Sequence, residues 1–533
     1  MPVQSVNTTK NTANAAISQG VGELLAIMGP SSVGPNPAGG ASTSSTGYDT
    51  PIAITRPQDV VTAFGIGPLV EAACLAIKNY SSTVLCLRTH ATTAGSAGAV
   101  NTTRAAVVSP EIASTSVVTI DSGSVYLGDF EIGLIVTKVV YATPPSPLPA
   151  VPQGTLGTDK IYVQWSLDNF RTLSSPVALP GTGPFALELA NTPSNFDSGI
   201  KMDFAAGTLS VGDNFTAIIK APAATTTDLA TATPPLAATT KDWECVLLAS
   251  EITDSTPSTG VCGTMDAFIA SMFPRGLFRW WASATSLPTV TAGVAETDAT
   301  YQASAVITNF SAYGSTTPAP IFASGVLTAS GNPAWPAQYI LPPSYGVMPW
   351  IKSLAEEQSA ADKTLGPIPG LALVDGNGNP LGRCHSEELN PGLDDSRFCV
   401  LRGWSDRQGV YLNLPTLMAA NGSPFTNLQR LRLWNLFARV VWTFFTDQLQ
   451  KRVPYTLATG IVLKSYADRL EALANSAINT AIIVPGKVQD AKVSVLRTDD
   501  QRVANPKLSV SGGIQCFAYD TYIDLNLGFL LPG

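Results

Sequence analysis

The order in which the sequence changes character constrains the fold more than any single motif. Residues 51–88 alternate strand, helix and strand. Pro51-Ile52-Ala53-Ile54 is a short β run, Thr55-Arg56-Pro57-Gln58-Asp59 has the N-cap and first-turn proline of a helix entry, and Gly65 closes that helix. Pro68 to Asn79 is an apolar helix, and Thr83 to Arg88 is a β-branched, apolar run suited to a central strand. This order predicts a βαβ unit. Upstream, Leu24-Leu25-Ala26-Ile27-Met28 is a buried strand closed by Gly29-Pro30, and a Gly/Ser/Pro loop follows it to Thr50.

Between 105 and 240 the pattern is strands alone. Tyr126 to Ile132, Ile161 to Trp165, Phe185 to Leu189 and Asp213 to Ile219 alternate apolar and polar residues. Two Pro/Thr-rich stretches, near 143–152 and 221–239, read as flexible joints. After Lys241 the α/β character returns: Trp243 to Ala249 as a strand, Asp266 to Phe273 as a helix, and Phe278 to Ala282 as a buried strand. Helical spacing follows over Asp298 to Phe310 and at the end of Pro342 to Glu357. Arg397 to Pro415 is read as strands around the turn Trp404-Ser405-Asp406-Arg407. A long helix is expected from Asn427 to Arg452, stopped by Pro454, and a second from Ser465 to Ala481. The tail is β again at Lys492–Arg497, Ile514–Ala518 and Thr521–Leu527. The expected fold class is α/β plus β, multidomain, with a β-rich insertion in an α/β core; 533 residues exceed what one core of about 250–300 residues can hold.

Charged residues are only 13% of the chain, about half the usual share of roughly 25%, while 45% are hydrophobic. Disorder is excluded on that balance, and much of the surface is expected to meet protein rather than water. A net charge of −8 argues against nucleic acid as a partner. The start Met1-Pro2-Val3-Gln4 lacks a basic, apolar leader, and no run reaches the ~18 apolar residues of a membrane span, so direct membrane insertion is not expected. Residues 1–20 are Asn/Thr/Ala-rich with isolated Val3, Val6 and Ile17; they read as an arm that orders on a partner.

No constellation for chemistry emerges. Only His90 and His385 could supply imidazole. Asp375-Gly376-Asn377-Gly378-Asn379 opens like a calcium loop, but Pro380 and Ser386 stand where glycine and glutamate are required, so a tight turn is the better reading. Gly65-Ile66-Gly67 lacks the third glycine of a dinucleotide fingerprint. Arg383-Cys384-His385 does not orient a thiol toward an imidazole. The adjacent pairs Glu356-Glu357, Glu387-Glu388, Asp394-Asp395 and Asp499-Asp500 read as solvated loops. No catalytic residue, cofactor or metal site is expected, and the chain is not expected to be an enzyme. Seven cysteines without a CxxC pair exclude zinc spacing. Buried free thiols are the ordinary account, while the odd count leaves a cross-link between chains open, with Cys384, Cys399 and Cys516 as candidates. On the long helix, Leu433, Leu436, Phe437, Val440, Val441 and Phe444 form an apolar stripe. Arg432 and Arg439 flank it, with Lys451 and Arg452 at its end; they either complement the helix dipole or face an acidic protein.

The layout resembles the contractile tail sheath proteins of bacteriophages and related injection systems. QGVGELLAIMGP (19–30) is similar to the family's first strand after its arm. PIAITRPQDVVTAFG (51–65) is similar to its strand, T/S-x-x-x-D helix entry and Phe-Gly, and residues 69–88 resemble the helix and arginine-terminated strand that follow. The resemblance covers roughly 21–90 and 340–533 and is weak over 105–240. It implies an N-terminal linking arm (1–20), a sheath core in two parts (21–104 and 241–395), an inserted outer domain (105–240), an inner tube-facing domain (396–515) and a C-terminal arm strand (516–533). It further implies stacked hexameric rings around a tail tube, a metastable extended state, and contraction that drives the tube through an envelope for genome ejection. The partners would be the chain itself, the tube protein, the baseplate and the tail terminator, in a virion assembled in the host cytoplasm. Arg432, Arg439, Lys451 and Arg452 would face the tube. Val3, Val6, Tyr522, Ile523, Leu525 and Leu527 would add strands to neighbouring subunits. Two alternatives are another tail or baseplate component, which length disfavours for a tube subunit, and an extracellular β-rich surface protein, which the α/β segments disfavour.

Overall fold

The computed structural model describes residues 24–36, 42–80, 83–105, 114–126, 128–168, 170, 172–189, 196–252, 256–285, 305–323, 326–329, 339–369, 372–374, 393–394, 396–404, 407–503 and 506–518. The arm residues Val3, Val6, Tyr522, Ile523, Leu525 and Leu527, the 375–379 turn, Cys384, His385 and Glu387-Glu388 lie outside them. The fold is mixed α/β with several sheets.

The chain begins with β1 (Leu24–Gly29), β2 (Ile52–Ile54), α1 (Pro57–Phe64), α2 (Pro68–Asn79) and β3 (Val84–Arg88). A β-rich stretch follows: β4 (Ser96–Ala97), β5 (Asn101–Thr103), β6 (Val118–Ile120), β7 (Phe130–Val140), β8 (Gln153–Thr155), β9 (Lys160–Ser166), β10 (Val177–Ala178), β11 (Gly183–Leu189), β12 (Phe196–Phe204), β13 (Thr208–Ser210) and β14 (Asn214–Lys220). Then come α3 (Thr226–Ala238), β15 (Trp243–Ile252), α4 (Val261–Met272), β16 (Trp280–Thr285), α5 (Ala305–Ser311) and β17 (Ile321–Phe322).

One six-stranded sheet runs β17-β16-β15-β1-β3-β2, and its long pairings are parallel. Every residue of β3 and β16 is buried, as expected of parallel strands covered on both faces. Residues β4 to β14 build separate antiparallel sheets between β3 and β15, so the parallel sheet is interrupted and resumed. One expected pairing differs: β2 lies antiparallel to β3, and the parallel neighbour of β3 is β1, with α1 and α2 in the crossover. The reason is Arg88 at the end of β3. Its buried guanidinium donates to the carbonyls of Ser31, Ser32, Ser44 and Thr46 and lies 3.8 Å over the Tyr48 ring. The Gly/Ser/Pro loop is thereby drawn around one side chain, and the chain returns along the sheet edge.

The stretch 221–239 is a helix rather than a flexible joint. Thr225 and Asp228 form a reciprocal capping box at the start of α3, Leu229, Ala232 and Leu236 bury one face, and Pro234 and Pro235 fall near the end. The two prolines lie inside the helix and remove two of its i→i−4 hydrogen bonds, and the capping box and the buried face hold it regardless.

The last part contains the small sheet β18 (Val326–Ala329), β19 (Tyr339–Leu341) and β20 (Ala372–Val374), the helix α6 (Pro343–Ser353) and the hairpin β21 (Leu401–Trp404) and β22 (Arg407–Leu412). It ends in α7 (Leu428–Thr446), α8 (Lys464–Ile478) with a π-turn over Asn479–Ile483, β23 (Asp490–Val495) and β24 (Val510–Gln515). Leu428 and Leu431 of α7 belong to the main core, whereas Leu433, Leu436, Phe437 and Val440 belong to a second core with α8, β23 and β24. The helix therefore joins the two. It ends at Thr446, short of Arg452, because the apolar stripe ends at Phe444 and no face remains to bury; Leu449 is 66% exposed. Among the described residues, no helix is long and apolar enough to cross a membrane.

Candidate assembly interface

The most distinctive surface is made by α7, α8 and the hairpin β23–β24. Asn427 caps α7, its side chain accepting from the Arg430 N–H at 3.1 Å. The stripe from Leu433 to Phe444 then lies against α8 and the hairpin, as its 3.6-residue spacing predicts. Phe437 packs under Gly512: a Cβ there would stand 3.0 Å from the ring tip, tighter than an ordinary contact, so the glycine lets the strand lie close on the helix.

β23 and β24 form a two-stranded antiparallel sheet, which is marginal by itself and draws its stability from the helices beneath. Leu496 donates to the Ser509 carbonyl at 2.8 Å, which sets the register. In that register Ala491, Val493 and Val495 of β23, and Val510, Gly512 and Ile514 of β24, direct their backbone groups away from the partner strand. The two outer edges differ. On β23 the Val493 N–H donates to Asn475 Oδ1 at 2.8 Å, and Asn475 Nδ2 donates back to the Val493 carbonyl at 3.0 Å. The Val495 N–H donates to Glu471 Oε1 at 2.7 Å, and the Ala491 N–H to Asp490 Oδ1 at 2.8 Å. On β24 the outward N–H groups of Val510, Gly512 and Ile514 have no such partner among the described residues. The strand Val-Ser-Gly-Gly-Ile-Gln is uncharged and free of proline, so it lacks the usual protections of an exposed edge.

The four cations expected on this surface divide. Arg432 is a correction: it is buried, its Nε 3.3 Å from Glu244 Oε1, and it donates to the carbonyls of Leu354, Ile351 and Ala355. It cannot reach a partner without dismantling the core. Glu244 also accepts from Lys352 Nζ at 2.8 Å and from Trp280 Nε1 at 3.4 Å. Burial pushes its carboxyl up, but Arg432, Lys352 and Arg439 outweigh this and hold it at about 2. Arg439 is half-buried, while Lys451 and Arg452 are exposed. Beyond this cluster, buried Lys487 Nζ pairs with Glu356 at 2.9 Å and Glu357 at 3.9 Å. That acidic pair is therefore a clamp rather than a solvated loop, and it ties the C-terminal residues to the end of α6. Asp499 likewise accepts from the Ser509 N–H at 2.7 Å, and Asp500 holds Arg502 at 2.8 Å.

Charge is segregated along the sequence. Residues 427–518 carry 12 Lys and Arg against 6 Asp and Glu, a net of +6, within a chain of −8, so the remainder is −14. Part of this excess is answered inside the fold, since Arg432 and Lys487 are buried against Glu244, Glu356 and Glu357; the exposed share includes Lys451 and Arg452.

The cysteine expectation is also corrected in part. Cys399 is buried, donates toward the Thr416 carbonyl at 3.2 Å, and burial pushes its thiol up to about 12; it cannot meet another chain. Cys516 is a half-buried free thiol. Among the described residues no group of His, Cys, Asp and Glu could hold a metal ion.

No protein-family model matches the sequence, and no curated protein does. Among solved structures, the chain is similar to the sheath tail protein of Desulfitobacterium hafniense, at 11% identity and a TM-score of 0.41, covering 96% of this chain and 100% of that one. It is similar to a chain of the anti-feeding prophage baseplate at 16% identity and a TM-score of 0.36, over 56% of this chain and 73% of that one. It is also similar to a chain of the contracted PVC sheath complex, from an extracellular contractile injection system, at 13% identity and 0.34, over 49% and 67%. All three TM-scores lie below 0.5.

Proposed function

We propose that the chain is a structural subunit of a contractile tail sheath, polymerising as stacked hexameric rings around a tail tube and contracting to drive that tube through an envelope. The observation that supports this reading is the uncharged edge of β24, unpaired among the described residues, on a two-stranded sheet that is marginal alone. The terminal segments would supply matching strands: residues 1–20 carry only isolated apolar residues, and Tyr522-Ile523-Asp524-Leu525-Asn526-Leu527 alternates in sequence as an added strand does. A strand from one subunit laid on β24 of the next would link neighbours through main-chain hydrogen bonds, which survive relative sliding of the subunit bodies.

Lys451, Arg452 and the rest of the basic C-terminal surface would meet the tube, with the β4–β14 sheets facing outward. Energy for contraction would come from area newly buried between subunits. Partners beyond the tube would be the baseplate and the terminator, in a virion or a related particle.

Negative-stain electron microscopy of the purified chain at high concentration tests the proposal. Hollow striated tubes or stacked rings are expected. Particles that stay monodisperse both alone and with a preformed tube would reject it.

A further inference from the structure

We infer that the C-terminal sheet takes strands on one side only, because Asn475 and Glu471 occupy the β23 edge as fixed stand-ins for a third strand. The inference rests on the strand-exchange reading above and adds which edge receives and which residues decide it. Two residues of a strand advance about 6.8 Å, and four residues of a helix about 6.0 Å. Asn475 and Glu471 are four apart on α8, so they share one face and meet alternate residues of β23. Asn475 offers an amide as a backbone neighbour would, accepting from Val493 N–H at 2.8 Å and donating to its carbonyl at 3.0 Å. Glu471 takes the next outward donor, Val495 N–H, at 2.7 Å. An incoming strand on this side would have to displace both side chains and the helix carrying them.

The β24 edge has the opposite design. Its outward groups at Val510, Gly512 and Ile514 meet no such side chains among the described residues, and a Cβ on Gly513 would meet open space. Asn475 and Glu471 are thus specificity-determining residues for assembly, acting by exclusion.

Residue-resolved hydrogen exchange on the dilute full-length chain tests this, with synthetic peptides of residues 1–20 and 519–533 as probes. Without peptide, the Val493 and Val495 amides should exchange slowly and those of Val510, Gly512 and Ile514 fast. Added peptide should slow the β24 set by about tenfold or more and leave the β23 set unchanged. Glu471→Ala with Asn475→Ala should speed exchange at Val493 and Val495 and make both sensitive to peptide. Glu471→Ala alone, on an accessible part of α8, keeps the test valid at Val495 should the double variant fold poorly. Peptide-induced slowing at Val493 and Val495 in the unaltered chain would overturn the one-sided assignment. So would slow exchange there in the variants. Slowing at neither edge would instead refute strand addition itself.

Discussion

Glu244 is the carboxylate that ties β15 to α6 and α7. It sits on β15, accepts from Lys352 on α6 and Arg432 on α7, and is almost wholly enclosed. Removing its charge strands buried Arg432 and half-buried Lys352, a loss of about 3–5 kcal/mol by analogy with other broken buried pairs. Glu244→Gln should lower the denaturant midpoint by a corresponding amount. The sign with pH follows from its carboxyl, held at about 2 against an ordinary 4.5: the stabilisation is complete above 4.5 and is lost as pH falls toward 2. Acid unfolding of Glu244→Gln should therefore be less steep between those limits, read by circular dichroism. The pairing of Arg432 was not legible beforehand. A helical wheel places an arginine on a flank, but only the packing of β15 against α7, 188 residues apart in sequence, decides whether that flank is solvent.

At the scale of elements, α7 was legible by its stripe and illegible at its end. The period of 3.6 identified Leu433, Leu436, Phe437 and Val440, all of which are buried. Its stop came earlier than proline demanded, because burial rather than propensity sustains a helix. α3 shows the converse: Thr/Pro composition hid a helix whose capping box, Thr225 with Asp228, stood in the sequence. The antiparallel β2 could not be read because its direction is set by the loop that Arg88 gathers. Phe437→Ala should remove the contact under Gly512 and destabilise the C-terminal part by about 3–5 kcal/mol, measured by chemical denaturation. Asn427→Ala, which deletes only the α7 cap, should cost about 1 kcal/mol in the same assay.

For the whole molecule, the mixed α/β class was readable from the order of patterns, since each stretch keeps its own period; that β15 and β16 rejoin the sheet of β1 and β3 was not. The charge segregation of +6 against −14 was equally present in the sequence. The state of the β24 edge was not, because whether a strand is paired depends on neighbours that no local pattern names. Deleting residues 1–20 should leave a chain with unchanged circular dichroism and melting temperature that forms no tubes by electron microscopy. Tubes of normal appearance from that truncation would remove the N-terminal arm from the assembly scheme.

A sheet closed on one side by Asn475 and Glu471 gives any polymer built on it a direction. Each subunit then receives from one side and gives toward the other, as hook and eye do. In a polymer built by the proposed strand exchange, growth would not finish symmetrically: the last subunit at one end would carry a vacant eye, and the first at the other an idle hook. Two unlike caps are needed to silence them, one that supplies a strand and one that accepts one.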